Sequence, residues 1–303
     1  MNSHSAVRKP KTVWSPTVLA CLAATWFVWG SMYLAIKWAL VSFPPFFQMG
    51  SQFVVAGALL ATIARLRGSA WPARREWISG AVLGCLLLGV GYGFTAIAES
   101  SVSSGLVVAF NAVVPTLLAL AEWPYGVRPA PRQLAAVAIG LCGIVMLTQG
   151  QGFSASFPGL LAIGIACVAW VLGSVWAVHG LPGGAKLTTA PGSMGHASQM
   201  LTGGMILLIA SWAVGEVPAW PPQSVAVASW VYLAFAGSLI SYSAYMVLLE
   251  RTTPSLAASY TYVNPIVALL LGVTLGNEIV TSFEWVAVSI VLVGVILLLW
   301  RSD

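Results

Sequence analysis

Charge is what this 303-residue chain has least of. Lysine, arginine, aspartate and glutamate make up 7% of it, against about 25% in a typical soluble domain. So few charges cannot cover a water-exposed surface, which excludes a soluble globular protein. Long polar stretches are missing too, so no extramembrane domain fits between the apolar runs. There is no Walker motif, and so no reason to expect ATP use. The four cysteines, Cys21, Cys85, Cys142 and Cys167, all lie inside apolar runs without metal-ligand spacing. They read as small buried hydrophobes, and no cofactor or metal is expected. The pI near 9.2 does not point to nucleic acid, because the basic residues are scattered through short loops and form no tract.

What the chain has is apolar length. Hydrophobic residues are 59% of it and the mean hydropathy is +0.90. A spanning helix needs roughly 20 apolar residues. Ten runs qualify, at about 15–38, 45–65, 77–97, 103–121, 133–149, 158–178, 194–214, 225–248, 255–275 and 283–300. The expected fold is an all-α membrane protein of ten transmembrane helices. Residues 1–14 form a tail. They resemble the n-region of a signal peptide, but the apolar run after them is too long and aromatic and has no small-residue cleavage site.

Charge orients these helices. Twelve of the thirteen basic residues fall on the side that holds Arg8, Lys9 and Lys11. The other side holds Glu99, Glu216, Glu278 and Glu284, with Lys37 as its one basic residue. This is the positive-inside pattern, and it places both termini in the cytoplasm.

The chain also repeats itself. Leu106 to Leu120 reads LVVAFNAVVPTLLAL, and Leu256 to Leu270 reads LAASYTYVNPIVALL. Gly30–Ser31 matches Gly173–Ser174, Ser51–Gln52 matches Ser198–Gln199, Pro115 matches Pro265, and Gly143 matches Gly294. The offsets are 143, 147, 150 and 151, in the same order throughout. Residues 15–150 and 151–300 therefore read as two five-helix halves. Five is odd, so the second half enters from the opposite face. An inverted repeat of this kind is the plan of many secondary transporters.

Together these landmarks resemble the EamA family of the drug/metabolite transporter superfamily. They are Trp29–Gly30–Ser31, Pro44–Pro45, Glu99, Ser104–Gly105 and Pro115, then Trp170, Gly173–Ser174, Pro254–Ser255, Tyr262, Asn264–Pro265 and Glu278. The resemblance covers roughly residues 17–300. It implies a central cavity, a bacterial inner-membrane location and efflux of small metabolites, and the chain looks like exporters of amino acids, the aromatic amino acid exporters included. Asn277 departs from the pattern, since family members often have glycine there.

In the first helix Trp26, Gly30, Tyr33 and Lys37 follow helical spacing, which puts them on one face. That face is expected to line the cavity, with Lys37 either near its outer mouth or snorkelling to the headgroups. Asn111 and Asn264 are mid-membrane amides that need partners. They either bind substrate or join helices. Pro115 and Pro265 beside them each free a carbonyl one turn back and offer a hinge. Tyr92, Trp170, Trp176, Tyr242 and Tyr260 add rings, with Trp176 expected as the counterpart of Tyr33. Gln52 and Gln199, equivalent in the repeat, either meet each other or flank the cavity.

Rings, phenols and amides suit a ligand that is part apolar and part polar. They do not suit a phosphate, which would want several cations. Glu99 pairs with Lys37, senses outside pH or is an ordinary loop carboxylate. Glu122 and Glu278 end repeat-related helices on opposite faces and fit gate latches or plain anchors, with Gly30 and Gly173 as hinge candidates. His179 and His196, near the cytoplasmic side, suit loop or cap roles more than proton handling.

The expected function is a secondary transporter that exports small neutral or zwitterionic solutes, amino acids foremost, by alternating access. The alternatives are a drug, nucleobase or sugar exporter, or a passive channel. Uniport and proton coupling both stay open. The expected partners are the solute and the lipid bilayer, with the protein a monomer. Enzymatic activity is not expected, because Ser174, His179 and Glu250 are too scattered to form a catalytic set.

Overall fold

Pro16 starts the first helix with a fixed φ suited to a helix N-terminus, and the Ser15 hydroxyl accepts from Val18 N–H at 3.3 Å. The same logic recurs along the chain. Pro45 opens the second helix, and the Glu216 carboxylate, reaching over from a distant loop, takes the N–H groups of Phe46 and Phe47 at 3.1 and 2.8 Å. Glu76 accepts from Ala73 N–H at 2.7 Å at the start of the third, and Glu284 accepts from Thr281 N–H at 2.7 Å at the start of the last. Carboxylates at helix N-termini satisfy orphan donors and the helix dipole together. This accounts for three of the chain's few acidic residues.

The computed structural model describes residues 15–126, 131–149, 155–252, 259–277 and 280–299. The basic tail at Arg8, Lys9 and Lys11, the pair Pro254–Ser255, and Glu278 lie outside the described residues, as do the side chains of Glu250 and Tyr262. The described helices are α1 (Pro16–Ala39), α2 (Pro45–Leu66) and α3 (Arg74–Glu99). Next come α4, in two pieces (Ser104–Asn111 and Val114–Ala121), α5 (Pro131–Gln149) and α6 (Phe157–His179). The last four are α7 (Ser193–Ala213), α8 (residues 224–251), α9 (Tyr260–Thr274) and α10 (Ser282–Leu299).

The chain is an all-α, multi-pass membrane bundle. By length and composition, five helices are long and apolar enough to cross a membrane: α1, α2, α3, α6 and the part of α8 from Ser224 to Tyr245. Their outward faces carry large exposed side chains, Phe27, Leu59, Leu161 and Phe235 among them, as lipid contact requires. The seventh expected span is helical over Ser193–Ala213 but falls outside these five.

Two large apolar clusters hold the bundle, and a small third one of Val18, Leu22 and Leu248 joins α1 to α8. One of the large clusters joins α1, α2, α3, α7 and α8 around Met49, Phe53, Leu88, Met200 and Leu233. The other joins α3, α4, α6, α9 and α10 around Leu106, Ile163, Leu269 and Val291. Helices α2 and α7 touch along their backbones. A Cβ on Gly50 would lie 2.9 Å from the Gly204 carbonyl oxygen, and one on Gly204 would lie 2.9 Å from that of Gly50. Small residues permit this approach, which helix packing in lipid rewards.

Three helices contain widened π-type turns: Ala24–Val28 in α1, Gly84–Tyr92 in α3 and Leu233–Ser241 in α8. Helix α4 breaks at Ala112–Val113, just before Pro115, whereas α9 runs continuously through Pro265. Contacts between connecting segments agree with the charge pattern. Ser42 meets Ala219 and Gln223, and Ser101 meets Ser156, all among the segments assigned outside. Ser79 meets Thr188, and Glu122 meets His179, all at or beside the segments the charge pattern assigns to the cytoplasm.

Candidate functional site: a central aromatic cavity

Five helices converge on a central cavity, and each contributes through its own period. From α1 come Trp29, Met32, Tyr33 and Ile36, one face of a helix. Gly91, Tyr92 and Thr95 come from α3, and Asn111 and Val114 straddle the break in α4. Ala166 and Trp170 face in from α6, and Tyr260 and Asn264 from α9. The cavity has a volume of about 60 Å³. It is a narrow cleft.

Two groups of rings frame the cleft. Trp29 packs edge-on against Tyr260 with centroids 4.8 Å apart and tilts against Tyr245 at 5.2 Å. Across from them Tyr92 meets Trp170 at 5.8 Å and Phe53 at 5.3 Å. The amides are positioned by local bonds. Asn111 Nδ2 donates to Val107 O, one turn back, at 3.2 Å. The Asn264 amide, turned to suit its neighbours, donates to Trp26 O at 2.9 Å and Tyr260 O at 3.1 Å, tying α9 to α1. Trp29 is 5% exposed, and its indole Nε1 has no partner among the described residues.

Of the residues expected from sequence, Tyr33, Tyr92, Asn111, Trp170, Tyr260 and Asn264 are brought together on this wall. Six others sit elsewhere. Trp26 turns away and donates from Nε1 to Ser259 Oγ at 2.9 Å, and Lys37 lies in the last turn of α1 beyond the wall. The expected face of Trp26, Gly30, Tyr33 and Lys37 is corrected to Trp29, Met32, Tyr33 and Ile36. The widened turn at Ala24–Val28 shifts the helical register ahead of it. Gly30 instead lets α9 approach, a Cβ there falling 2.7 Å from Val267 Cβ. Gly173 does the same for Leu87 of α3.

Gln52 and Gln199 neither meet nor flank the cavity. Both turn to α8: Gln52 Nε2 donates to Ser238 Oγ at 3.5 Å, and Gln199 Oε1 accepts from Tyr242 Oη at 2.9 Å. Tyr242 is thereby held in the α7–α8 interface. Trp176 packs into the second apolar cluster, and Trp170 occupies the cavity in its stead. Pro115 is buried at the α4 break and Pro265 is buried inside α9.

Glu99 is not a loop carboxylate. It is 2% exposed, and its Oε2 accepts from Ser104 Oγ at 2.8 Å at the start of α4. Glu122 lies 3.2 Å from His179 Nε2, and Tyr125 stacks on that imidazole at 4.8 Å and donates to Gly180 O at 3.0 Å. This cluster ties the C-terminal ends of α4 and α6 together. No group of three histidine, cysteine, aspartate or glutamate side chains meets among the described residues.

Sequence reasoning missed Trp29, Met32, Ile36, Gly91, Thr95, Val114 and Ala166. Trp29 carried a signal, as a tryptophan beside the Gly30–Ser31 pair. The aliphatic wall residues carried none.

A model of the EamA-like transporter family matches twice, over residues 16–149 and 157–300. The chain is 36% identical to the uncharacterized inner membrane transporter YedA of Escherichia coli K12, over 92% of its own length and 90% of that protein's. It is 26% identical to protein PecM of Dickeya dadantii, over 81% and 80%. One crystal structure superposes with a TM-score of 0.65 at 18% identity, covering 94% of this chain and 97% of that one, which is a likeness of fold.

Proposed function

The chain belongs to the EamA-like transporter family, and from that premise we propose that it exports small neutral or zwitterionic metabolites, amino acids foremost, by alternating access. Its class is a drug/metabolite-type secondary transporter of the bacterial inner membrane, and not an enzyme. The finer reading is ten crossings in two inverted halves, residues 15–150 and 151–300. The matched offsets support it, and so do the widened turns of α3 and α8, which begin at Gly84 and Leu233, 149 residues apart.

The observation that carries the proposal is the cavity itself. Helices α1, α3 and α4 from one half meet α6 and α9 from the other around rings and amides, with no charged side chain among the described residues of the wall. A solute without net charge suits such a site, because an unpaired ion in a dry core is expensive. Tyr33, Asn111, Trp170, Tyr260 and Asn264 are the contacts. The bundles rock, the Glu122–His179 latch parts on the cytoplasmic side, and the cleft widens to admit solute.

The test is flux in proteoliposomes of the purified protein, with a panel of radiolabelled amino acids and with or without a pH gradient. Saturable exchange of at least one, lost in Asn111→Ala, is the expected result. Flux that rises linearly without saturation would replace the transporter by a channel. Silence across the panel would remove amino acids as the cargo.

A further inference from the structure

We propose that Tyr92 and Tyr242 take turns on the wall of the central cavity, each leaving it by donating its hydroxyl to a glutamine of its own half. In the present structure Gln199 holds Tyr242 away from the cavity. In the opposite-facing state Gln52 holds Tyr92, and Tyr242 takes its place against the solute. This rests on the reading of two inverted halves above and deepens it. The repeat supplies the pairing. Gln52 matches Gln199 at an offset of 147, and Pro115 matches Pro265 at 150. Tyr92 and Tyr242 are also 150 apart, so each stands 23 residues before its proline. Each stands at the end of a widened turn as well. Tyr92 is the last residue of Gly84–Tyr92, and Tyr242 directly follows Leu233–Ser241. Such turns gather at functional sites.

The two halves use these equivalent residues differently. In the second half Tyr242 is 6% exposed and donates to Gln199 Oε1 at 2.9 Å. In the first half Tyr92 lines the cavity, its ring 5.8 Å from Trp170 and 5.3 Å from Phe53, the residue after Gln52. Gln52 is fully buried, and its Oε1 has no partner among the described residues. Its Nε2 reaches Ser238 Oγ at 3.5 Å, which is long for a hydrogen bond. A buried acceptor without a donor carries the full cost of losing its water. The donor that the repeat offers it is the Tyr92 hydroxyl. Two similar halves in different arrangements reverse the direction a cavity faces by exchanging those arrangements. The exchange makes the Gln52–Tyr92 bond as the Gln199–Tyr242 bond breaks, which keeps the two states close in energy. The solute meets a phenol in both, from opposite halves.

The experiment reads the balance of the two states without any solute. Thr95→Cys, on the cavity wall, is labelled with a membrane-impermeant maleimide from each face of oriented vesicles, with the four native cysteines replaced by alanine. The ratio of the two rates reports the balance. Tyr242→Phe removes the bond of one state and Tyr92→Phe that of the other, while both keep the ring. They should shift the ratio in opposite directions, each by about fivefold, the worth of one hydrogen bond. In a Gln52→Leu background Tyr92→Phe should have no further effect, because its bond is already gone. That coupling joins two side chains that do not bond in the present structure, and a merely structural role for Gln52 would not produce it. Should Gln52→Leu fail to fold, the opposite signs of the two tyrosine variants decide alone.

Shifts in the same direction overturn the exchange, as does no shift from either tyrosine variant. So does a Tyr92→Phe effect undiminished in a folded Gln52→Leu background. If any of these is found while liposomes carry a solute saturably, the exchange fails and the transporter reading stands. If label enters equally from both faces in every variant and flux rises without saturation, the protein is a channel and both fail together.

Discussion

Gly50 and Gly204 face each other across the α2–α7 contact so closely that a methyl group on either would come within 2.9 Å of the other's carbonyl oxygen. Gly50→Ala and Gly204→Ala should each destabilise the protein by about 1–3 kcal/mol through overpacking. The double variant should cost less than the sum, because the first separation makes room for the second methyl. Gly140 and Gly164 face open space, so alanine there should be neutral or slightly stabilising. Melting temperatures in one detergent measure all of these.

Asn111 and Asn264 should separate by stability. Asn264 bridges two helices through Trp26 O, whereas Asn111 Nδ2 bonds within its own helix. Alanine at either position should abolish saturable flux. Only Asn264→Ala should also lower the melting temperature, by an interhelical bond worth about 0.6 kcal/mol plus the cost of the carbonyls left behind. Equal melting curves would refute the bridge.

The cytoplasmic cluster should govern access. The Glu122–His179 side chains are 37% and 25% exposed, and pairs this exposed are worth at most about 1 kcal/mol. Glu122→Gln and Tyr125→Phe should therefore speed labelling of an engineered cavity cysteine from the cytoplasmic side by no more than about fivefold each. Unchanged labelling would make the cluster an anchor and not a latch.

Asn277 sits at φ 52°, in the left-handed region that side chains rarely adopt. Asparagine tolerates it better than other non-glycine residues. This is the physical reason it stands where family resemblance leads one to expect glycine. Asn277→Gly should leave stability near that of the parent, while Asn277→Ala should cost about 1–2 kcal/mol. A thermal melt of the two variants decides it.

The bundle was readable because apolar length, positive-inside charge and matched motifs all report on burial in lipid. Membership in a transporter family followed from the same landmarks. The cavity was readable where a polar or ringed residue interrupts an apolar run, as at Tyr33, Asn111, Trp170 and Asn264. It was not readable where the wall is aliphatic, as at Ile36 and Ala166. Nor could spacing foresee the register of α1, since a widened turn has no sequence signature of its own and rotates every residue beyond it. Gln52 and Gln199 show a third limit. Their motifs match, but which neighbour a buried amide bonds depends on how helices pack sideways, and both chose α8.

The widened turns also divide the cavity wall by stiffness. A π-type turn is one of the few features that bends a helix sharply. In α1 it ends at Val28, one residue before the wall begins at Trp29, and in α3 it runs through the wall residues Gly91 and Tyr92. Helix α6, which supplies Ala166 and Trp170, is continuous from Phe157 to His179. The cleft is thus set between two helices with a built-in joint and one straight stave.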